Sequence, residues 1–191
     1  VLMSAFLMPA IAHFAPKWCG RIAVLAMIAA FVSSLHFAVI TQNGQRIAYA
    51  AGGWEAPWGI EVVGEPFSAF MLMVISSVCL IILIYSMGSL EHEMPKKGIG
   101  WYYTIFLLLV ASMMGMVMTN DLFNMYVFIE VTGIAACALV LAKGGRLATE
   151  AAFKYLLLAT VGSGFVLTGI ALIYLITGHL NITYVAEEFA R

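Results

Sequence analysis

Asp121-Leu-Phe-Asn-Met-Tyr-Val-Phe-Ile-Glu130-Val-Thr-Gly-Ile-Ala-Ala-Cys-Ala-Leu-Val-Leu-Ala142 is an apolar run of membrane length with a carboxylate near its middle. A run of this kind is expected to form a helix. Lipid offers no hydrogen-bond partners, and in an open chain only a helix lets the backbone N–H and C=O groups bond to one another. An ionisable group at bilayer depth is expensive and usually serves to carry protons or ions. Glu130 is therefore the first candidate for a functional residue.

The composition assigns the chain to the membrane. Hydrophobic residues make up 63% of the sequence and charged residues 10%, and the mean hydropathy is +1.01. A soluble domain would carry about a quarter charged residues. The apolar residues come in long blocks, which predicts an all-α membrane protein with the lipid bilayer as its main environment. A net charge of −1 without a basic stripe argues against a nucleic-acid partner.

We predict six transmembrane helices in a single transmembrane domain, residues 1–191. The first helix is short for the roughly 30 Å of hydrocarbon that it has to cross, and the sixth is long enough to tilt or protrude. The outer loop 42–66 is predicted to form a β-hairpin, because its residues 60–63 favour a strand and follow a Gly- and Trp-rich turn. The predicted helices cover about residues 1–15, 22–41, 67–87, 101–118, 122–142 and 148–177.

The connection between the fourth and fifth helices is only Thr119-Asn120-Asp121. A loop this short predicts a tight antiparallel pair of helices. Asn120 or Asp121 is expected to cap the fifth helix, since both side chains accept hydrogen bonds from free N–H groups.

Basic residues predict the orientation in the cell (plasma or inner) membrane. Loops two and four and the C-terminal tail contain only Arg46 and Arg191. Cytoplasmic loops are enriched in Lys and Arg, so we expect the odd-numbered loops in the cytoplasm and both termini outside. The odd-numbered loops carry six basic residues, Lys17, Arg21, Lys96, Lys97, Lys143 and Arg146.

Glu130 has two readings. It is either a protonated acid hydrogen-bonded inside the bundle, or a proton relay that pairs with a cation. An apolar medium favours the neutral acid and a nearby cation favours the carboxylate, so movement of a cation would switch the proton.

Lys154, in the sixth helix, is the cation available in the chain. Glu150 precedes it by four residues, so local pairing along the helix is the alternative to a relay role. Counted from the expected helix ends, Glu130 lies about 18 Å deep and Lys154 about 9 Å. We therefore expect water or another side chain to connect them, if they are connected.

The sequence contains no Walker motif, CxxC, haem ligand pair or catalytic triad, and no metal-ligand spacing. We expect no cofactor, no metal site and no redox centre in this chain. Whether it belongs to an oxidoreductase or translocase complex stays open.

Several segments together resemble one family. They are Thr119-Asn-Asp-Leu-Phe-Asn-Met-Tyr-Val-Phe-Ile-Glu130, Ala151-Ala-Phe-Lys154-Tyr-Leu with Gly162-Ser163, and Leu175-Ile-Thr-Gly178-His-Leu-Asn181. They are similar to the D subunit of Mrp-type cation/proton antiporters and to the antiporter-like subunits of membrane-bound hydrogenases and respiratory complex I.

The resemblance implies a fold of about fourteen helices with two inverted repeats, of which these residues would form the N-terminal part with an incomplete first repeat. It implies that Glu130 is the central proton-relay residue and that Lys154 is a second one. The lysine that pairs with this glutamate in the family lies on a seventh helix, beyond the present sequence. The resemblance therefore implies either a split gene, with the later helices on another polypeptide, or a shortened subunit with a structural role in a larger complex.

Three hypotheses follow. The first is a partial antiporter-like subunit of a multi-subunit membrane complex that translocates protons or Na⁺, with any redox partner in other subunits. The second is a structural membrane scaffold without its own ion path. The third is a homo-oligomeric channel or carrier.

Overall fold

The computed structural model describes residues 1–94 and 96–191, without the side chains of residues 17, 91–93, 96 and 97. Of the basic residues that predict the orientation, Lys17, Lys96 and Lys97 thus have side chains outside the described set. The prediction of a mainly helical membrane protein is confirmed. The described helices are α1 (Leu2–Phe14), α2 (Cys19–Thr41), α3 (Pro66–Glu93), α4 (Lys96–Met118), α5 (Leu122–Leu141), α6 (Arg146–Thr177) and α7 (Ile182–Phe189).

Five of these helices, α2 to α6, are long and apolar enough to cross a membrane. Helix α1 has 13 residues, which extend over about 20 Å and fall short of the roughly 30 Å of hydrocarbon. The six predicted spans are therefore five helices of full length and one short apolar helix. Helix α1 is nevertheless part of the packed core, where its Met8 is completely buried.

The residues after α6, predicted to be a C-terminal tail, form a further helix, α7. Gly178 ends α6 with a left-handed conformation, φ +69°, which glycine adopts without strain. Asn181 then caps α7, because its side chain accepts hydrogen bonds from the N–H groups of Thr183 and Tyr184. A glycine followed by a capping residue is the signal that predicts a second helix at this point.

A small sheet joins three connections at one end of the bundle. Strands β1 (Ile47–Ala50) and β2 (Glu61–Gly64) form an antiparallel hairpin between α2 and α3. Two isolated bridges extend this sheet, one between Val62 and Thr119 and one between Asp121 and Asn181. The short turn before α5 therefore lies between β2 and the segment that follows α6. We call this end of the molecule the hairpin end.

The helices fall into two regions that differ in packing. Helices α1 to α4 enclose one apolar core, in which Met8, Met27, Leu83 and Leu107 are fully buried. Helix α5 buries only Ala135 among its residues, and the buried residues of α6 are few and widely spaced. The closed cluster α1–α4 thus supports a more open pair, α5–α6.

Candidate functional site

Glu130 lies near the middle of α5, which is packed between α4 and α6. One side of α5 meets α4. There the hydroxyl oxygens of Thr132 and Ser112 are 2.8 Å apart in an interhelical hydrogen bond, and the Phe128 ring packs against Gly115. A Cβ at Gly115 would collide with that ring, so the glycine is what allows α4 and α5 to approach so closely.

The other side of α5 meets α6 through small residues. A Cβ placed on Gly133 would lie 4.0 Å from the Cβ of Ala159, which is ordinary contact. One turn further on, the Cys137 thiol donates to the carbonyl oxygen of Ala152 at 3.3 Å. Glu130 precedes Gly133 by three residues, so helical spacing places it on the same side, toward α6.

A cleft of about 310 Å³ opens between α4, α5 and α6 at the level of Glu130. Besides that carboxylate, its polar lining comes from four residues with hydroxyl groups: Thr132, Tyr155, Thr160 and Ser163. Thr160 and Ser163 donate their hydroxyl hydrogens to carbonyl groups of α6 itself, at 2.9 Å and 3.1 Å. Their oxygens remain available as acceptors for hydrogen bonds from water molecules.

Tyr126 is a neighbour of Glu130 that the sequence analysis missed. It lies four residues earlier on α5, and its hydroxyl interacts with the Glu130 carboxylate. Spacing of four residues on one helix is the signal that brings two side chains together. Tyr126 adds a donor next to the acid on the side nearer the hairpin end.

Lys154 lies elsewhere on α6. Its Nζ is 2.6 Å from a carboxylate oxygen of Glu150, and the two side chains are 70% and 54% exposed. Lys154 is two residues from Ala152 and two from Leu156, both of which lie on the side of α6 that faces α5 or the cleft. Two residues correspond to about 200° of helix rotation, so Lys154 projects from the opposite side. The structure places Glu130, but not Lys154, at the cleft.

Glu130 and Lys154 differ less in depth along their helices than the sequence suggests. Helix α6 begins at Arg146, two residues before the predicted start. Counted from the observed helix ends, Lys154 is about 12 Å along α6 and Glu130 about 16 Å along α5, since each residue adds about 1.5 Å. Their separation follows mainly from the face of α6 that carries Lys154.

Comparison with solved structures identifies the class of protein. The chain superposes with a TM-score of 0.90 and 33% identity on a chain of the membrane-bound sulfane sulfur reductase, an archaeal respiratory membrane complex. The match covers 97% of this chain and 38% of the other. This match confirms the prediction that the chain has the fold of an antiporter-like membrane subunit.

Sequence comparison gives the family. The chain is 37% identical over 164 residues to NADH-quinone oxidoreductase subunit N of Desulforudis audaxviator, a match that covers 86% of this chain and 32% of the relative. It is 31% identical to the D subunit of the Na(+)/H(+) antiporter of Alkalihalophilus pseudofirmus, with 85% and 32% covered. Residues 119–190 match the model of the family described as NADH:quinone oxidoreductase/Mrp antiporter, TM. The matched segment, residues 119–190, belongs to this family. The chain as a whole spans about a third of the length of these relatives.

Proposed function

We propose that this chain forms the N-terminal part of an antiporter-like subunit and that Glu130 carries protons in an ion path through that subunit. The observation that supports this is the position of the carboxylate on a mostly apolar cleft that also carries hydroxyl groups, between three membrane helices. A carboxylate in contact with water can accept and release a proton, whereas an acid sealed in lipid would stay neutral. The ion exchanged is either the proton alone or Na⁺ against protons.

Lys154 remains part of this proposal as a second relay residue, in a role that the geometry narrows. Its ammonium pairs with Glu150 on the side of α6 away from the cleft. A direct ion pair with Glu130 therefore requires rotation of α6. In the described conformation Lys154 lies on the outer face of α6. There it acts on the later helices of the fold, on this or another polypeptide, which pack against that face.

The same proposal includes the orientation of the chain in the membrane and its partner subunits. The odd-numbered connections face the cytoplasm of a plasma or inner membrane, because their basic residues outnumber those of the hairpin end. The hairpin end then faces outside. The chain works together with other membrane subunits, and any redox centre belongs to those subunits.

The decisive experiment is Glu130→Gln in the assembled membrane complex, with ion flux measured in sealed vesicles. Gln keeps the size of the side chain but cannot carry a proton, so we expect flux to fall at least tenfold. Glu188→Gln is the matched control, since Glu188 lies on α7 and pairs with Arg191 at the surface. Normal flux in Glu130→Gln, at a normal level of assembled complex, would contradict the proposal.

The scaffold hypothesis keeps one supporting observation, the apolar outer face of α6, where Leu158, Phe165 and Leu175 are each more than 70% exposed. A subunit that only seals an interface would present such a face and would keep Glu130 protonated throughout. Infrared difference spectra separate the two functions. A carboxyl band that is lost in Glu130→Gln and changes during turnover supports the relay, and a band that never changes supports the scaffold.

A further inference from the structure

A cluster of polar side chains at the hairpin end ties together segments far apart in the sequence. Asn120 is 9% exposed, and its Nδ2 donates to Glu61 Oε2 at 2.7 Å and to Thr183 Oγ1 at 2.9 Å. Asn181, 1% exposed, donates to the same Glu61 oxygen at 3.3 Å. Arg46 closes the group, since its guanidinium donates to Thr183 Oγ1 at 3.0 Å and lies 3.9 Å from Glu61. We call these five residues the hairpin-end knot.

The backbone of Asn120 makes the same connections as its side chain. Its N–H donates to the carbonyl oxygen of Glu61, and its own carbonyl oxygen accepts from the N–H of Ile182, both at 2.9 Å. The first residue of α5, Leu122, donates to the carbonyl oxygen of Leu180, also at 2.9 Å. The start of α5 is thus bonded directly to the segment that follows α6.

The turn between α4 and α5 does not need Asn120 for its own stability. Asp121 is the N-cap of α5, and its side chain accepts from the N–H of Asn124 at 2.7 Å. Asn124 in turn donates to Thr119 at 2.9 Å, within the same turn. These residues satisfy the local geometry, whereas the side-chain bonds of Asn120 go to β2, Asn181 and α7. Its role is therefore to hold separate segments together.

The knot and the small-residue contacts hold α5 against α6 at two levels. Toward one end, Gly133 contacts Ala159 and Cys137 bonds the Ala152 carbonyl. At the other end, the knot holds the turn directly before α5, and the backbone bond from Leu122 to Leu180 lies beside it. Leu122 is eight residues or about 12 Å from Glu130 along α5. Glu130 lies between these two levels, and Gly133 and Ala159 are themselves part of the cleft lining. The width of the cleft therefore depends on how α5 is held at both levels.

We propose that Asn120 is a positioning residue that sets the separation of α5 and α6 at the cleft, and with it the access of water and ions to Glu130. It does so from a distance, without contact with the carboxylate. The consequence for ion flux rests on the proposed function, but the effect on the cleft does not. The experiment below measures the cleft directly.

The reporter is Thr160→Cys, placed in the cleft of the assembled complex after replacement of the native cysteines of this chain. The measured quantity is the rate at which a small charged methanethiosulfonate reagent modifies that cysteine. We expect Asn120→Ala to change this rate at least fivefold. Asn124→Ala, the matched control, removes an asparagine whose side chain bonds only within the turn, and we expect its rate to stay within twofold of the parent.

Two further measurements keep the test decisive. A second reporter, His13→Cys at the exposed end of α1, is expected to stay within twofold in every variant, which separates an effect on the cleft from general loosening. If Asn120→Ala does not assemble, Thr183→Val removes one of its acceptors, and we expect a change of about threefold at the cleft reporter. An unchanged cleft reporter in the variant that assembles would overturn the proposal, as would an equal change in Asn124→Ala or at His13→Cys.

Ion flux in the same vesicles distinguishes the two proposals. A changed cleft reporter together with normal flux in Glu130→Gln would leave the positioning role of Asn120 intact and refute the proton path. An unchanged cleft reporter in Asn120→Ala together with loss of flux in Glu130→Gln would refute the positioning role of Asn120 and support the proton path.

Discussion

The closed cluster α1–α4 and the open pair α5–α6 differ in packing, although their helices are similar in composition. Both consist of apolar helices, but the cluster places Met8, Met27 and Leu107 in a core without measurable exposure, whereas α6 leaves Leu158 77% exposed. The acid lies in the open pair, on a cleft, and not in the closed core. The cluster therefore has the close packing of a rigid support, whereas the open pair has the uncovered faces on which the proposed proton path and the proposed contacts with other subunits depend.

A matched pair of leucines gives the strongest test of this contrast. Leu107→Ala removes a fully buried side chain from α4, and Leu158→Ala removes an exposed one from α6. We expect the first to lower the free energy of unfolding by about 2 kcal/mol or more, because it leaves a cavity, and the second by well under about 1 kcal/mol. Thermal unfolding in detergent measures both. Equal losses would mean that α5–α6 is as tightly packed as the cluster.

A matched pair of glycines sharpens the comparison at smaller amplitude. A Cβ at Gly100 would collide with Ala12 of α1, whereas one at Gly162 of α6 would meet open space. We expect Gly100→Ala to cost about 1–3 kcal/mol through overpacking. Gly162→Ala should be neutral, or stabilising by up to about 1 kcal/mol through helix propensity. The same unfolding measurement applies, and a destabilised Gly162→Ala would show that a further element covers that part of α6 in the purified protein.

The exposed ion pair on α6 should have the smallest effect on stability. Lys154 and Glu150 are both more than half exposed, so screening leaves their attraction at no more than about 0.5 kcal/mol. We expect Glu150→Gln to leave the unfolding temperature nearly unchanged. A shift of several degrees would indicate that protein encloses the pair, so that this part of α6 is packed as tightly as the closed cluster.

Much of the architecture follows from the sequence, because lipid allows an apolar block of membrane length only one open-chain structure. Residues 60–63 also predict a strand, but their partner β1 has the sequence Ile-Ala-Tyr-Ala, whose propensity is weaker. The position of Lys154 was harder to foresee. A two-residue difference in the start of α6 changes its depth, and only the observed contacts of Ala152 and Leu156 reveal which side of the helix it occupies.

The candidate site was predictable in part. Glu130 is evident from charge alone, since an acid in an apolar run is conspicuous. The cleft around it depends on how closely α5 packs against α4 and α6. The close approach of α5 to α4 needs Gly115, which is a packing effect that no local pattern shows. Asn120 was predicted only as one of two candidate N-caps. Its actual partners lie 59 to 63 residues away, at distances along the chain that no local pattern reports.

The long reach of these bonds has a consequence for biosynthesis. The core of α1–α4 is complete in sequence by Met118, so it can pack while later helices are still being made. The bond between Arg46 and Thr183 joins residues 137 positions apart and has to wait for α7 to leave the ribosome. Until then β2 can bond to β1 and to the turn before α5, but its bond to Asn181 cannot form. Assembly of this chain should therefore proceed from a helical core to a late closure at the hairpin end, and pulse-chase protease protection of the hairpin would date that last step.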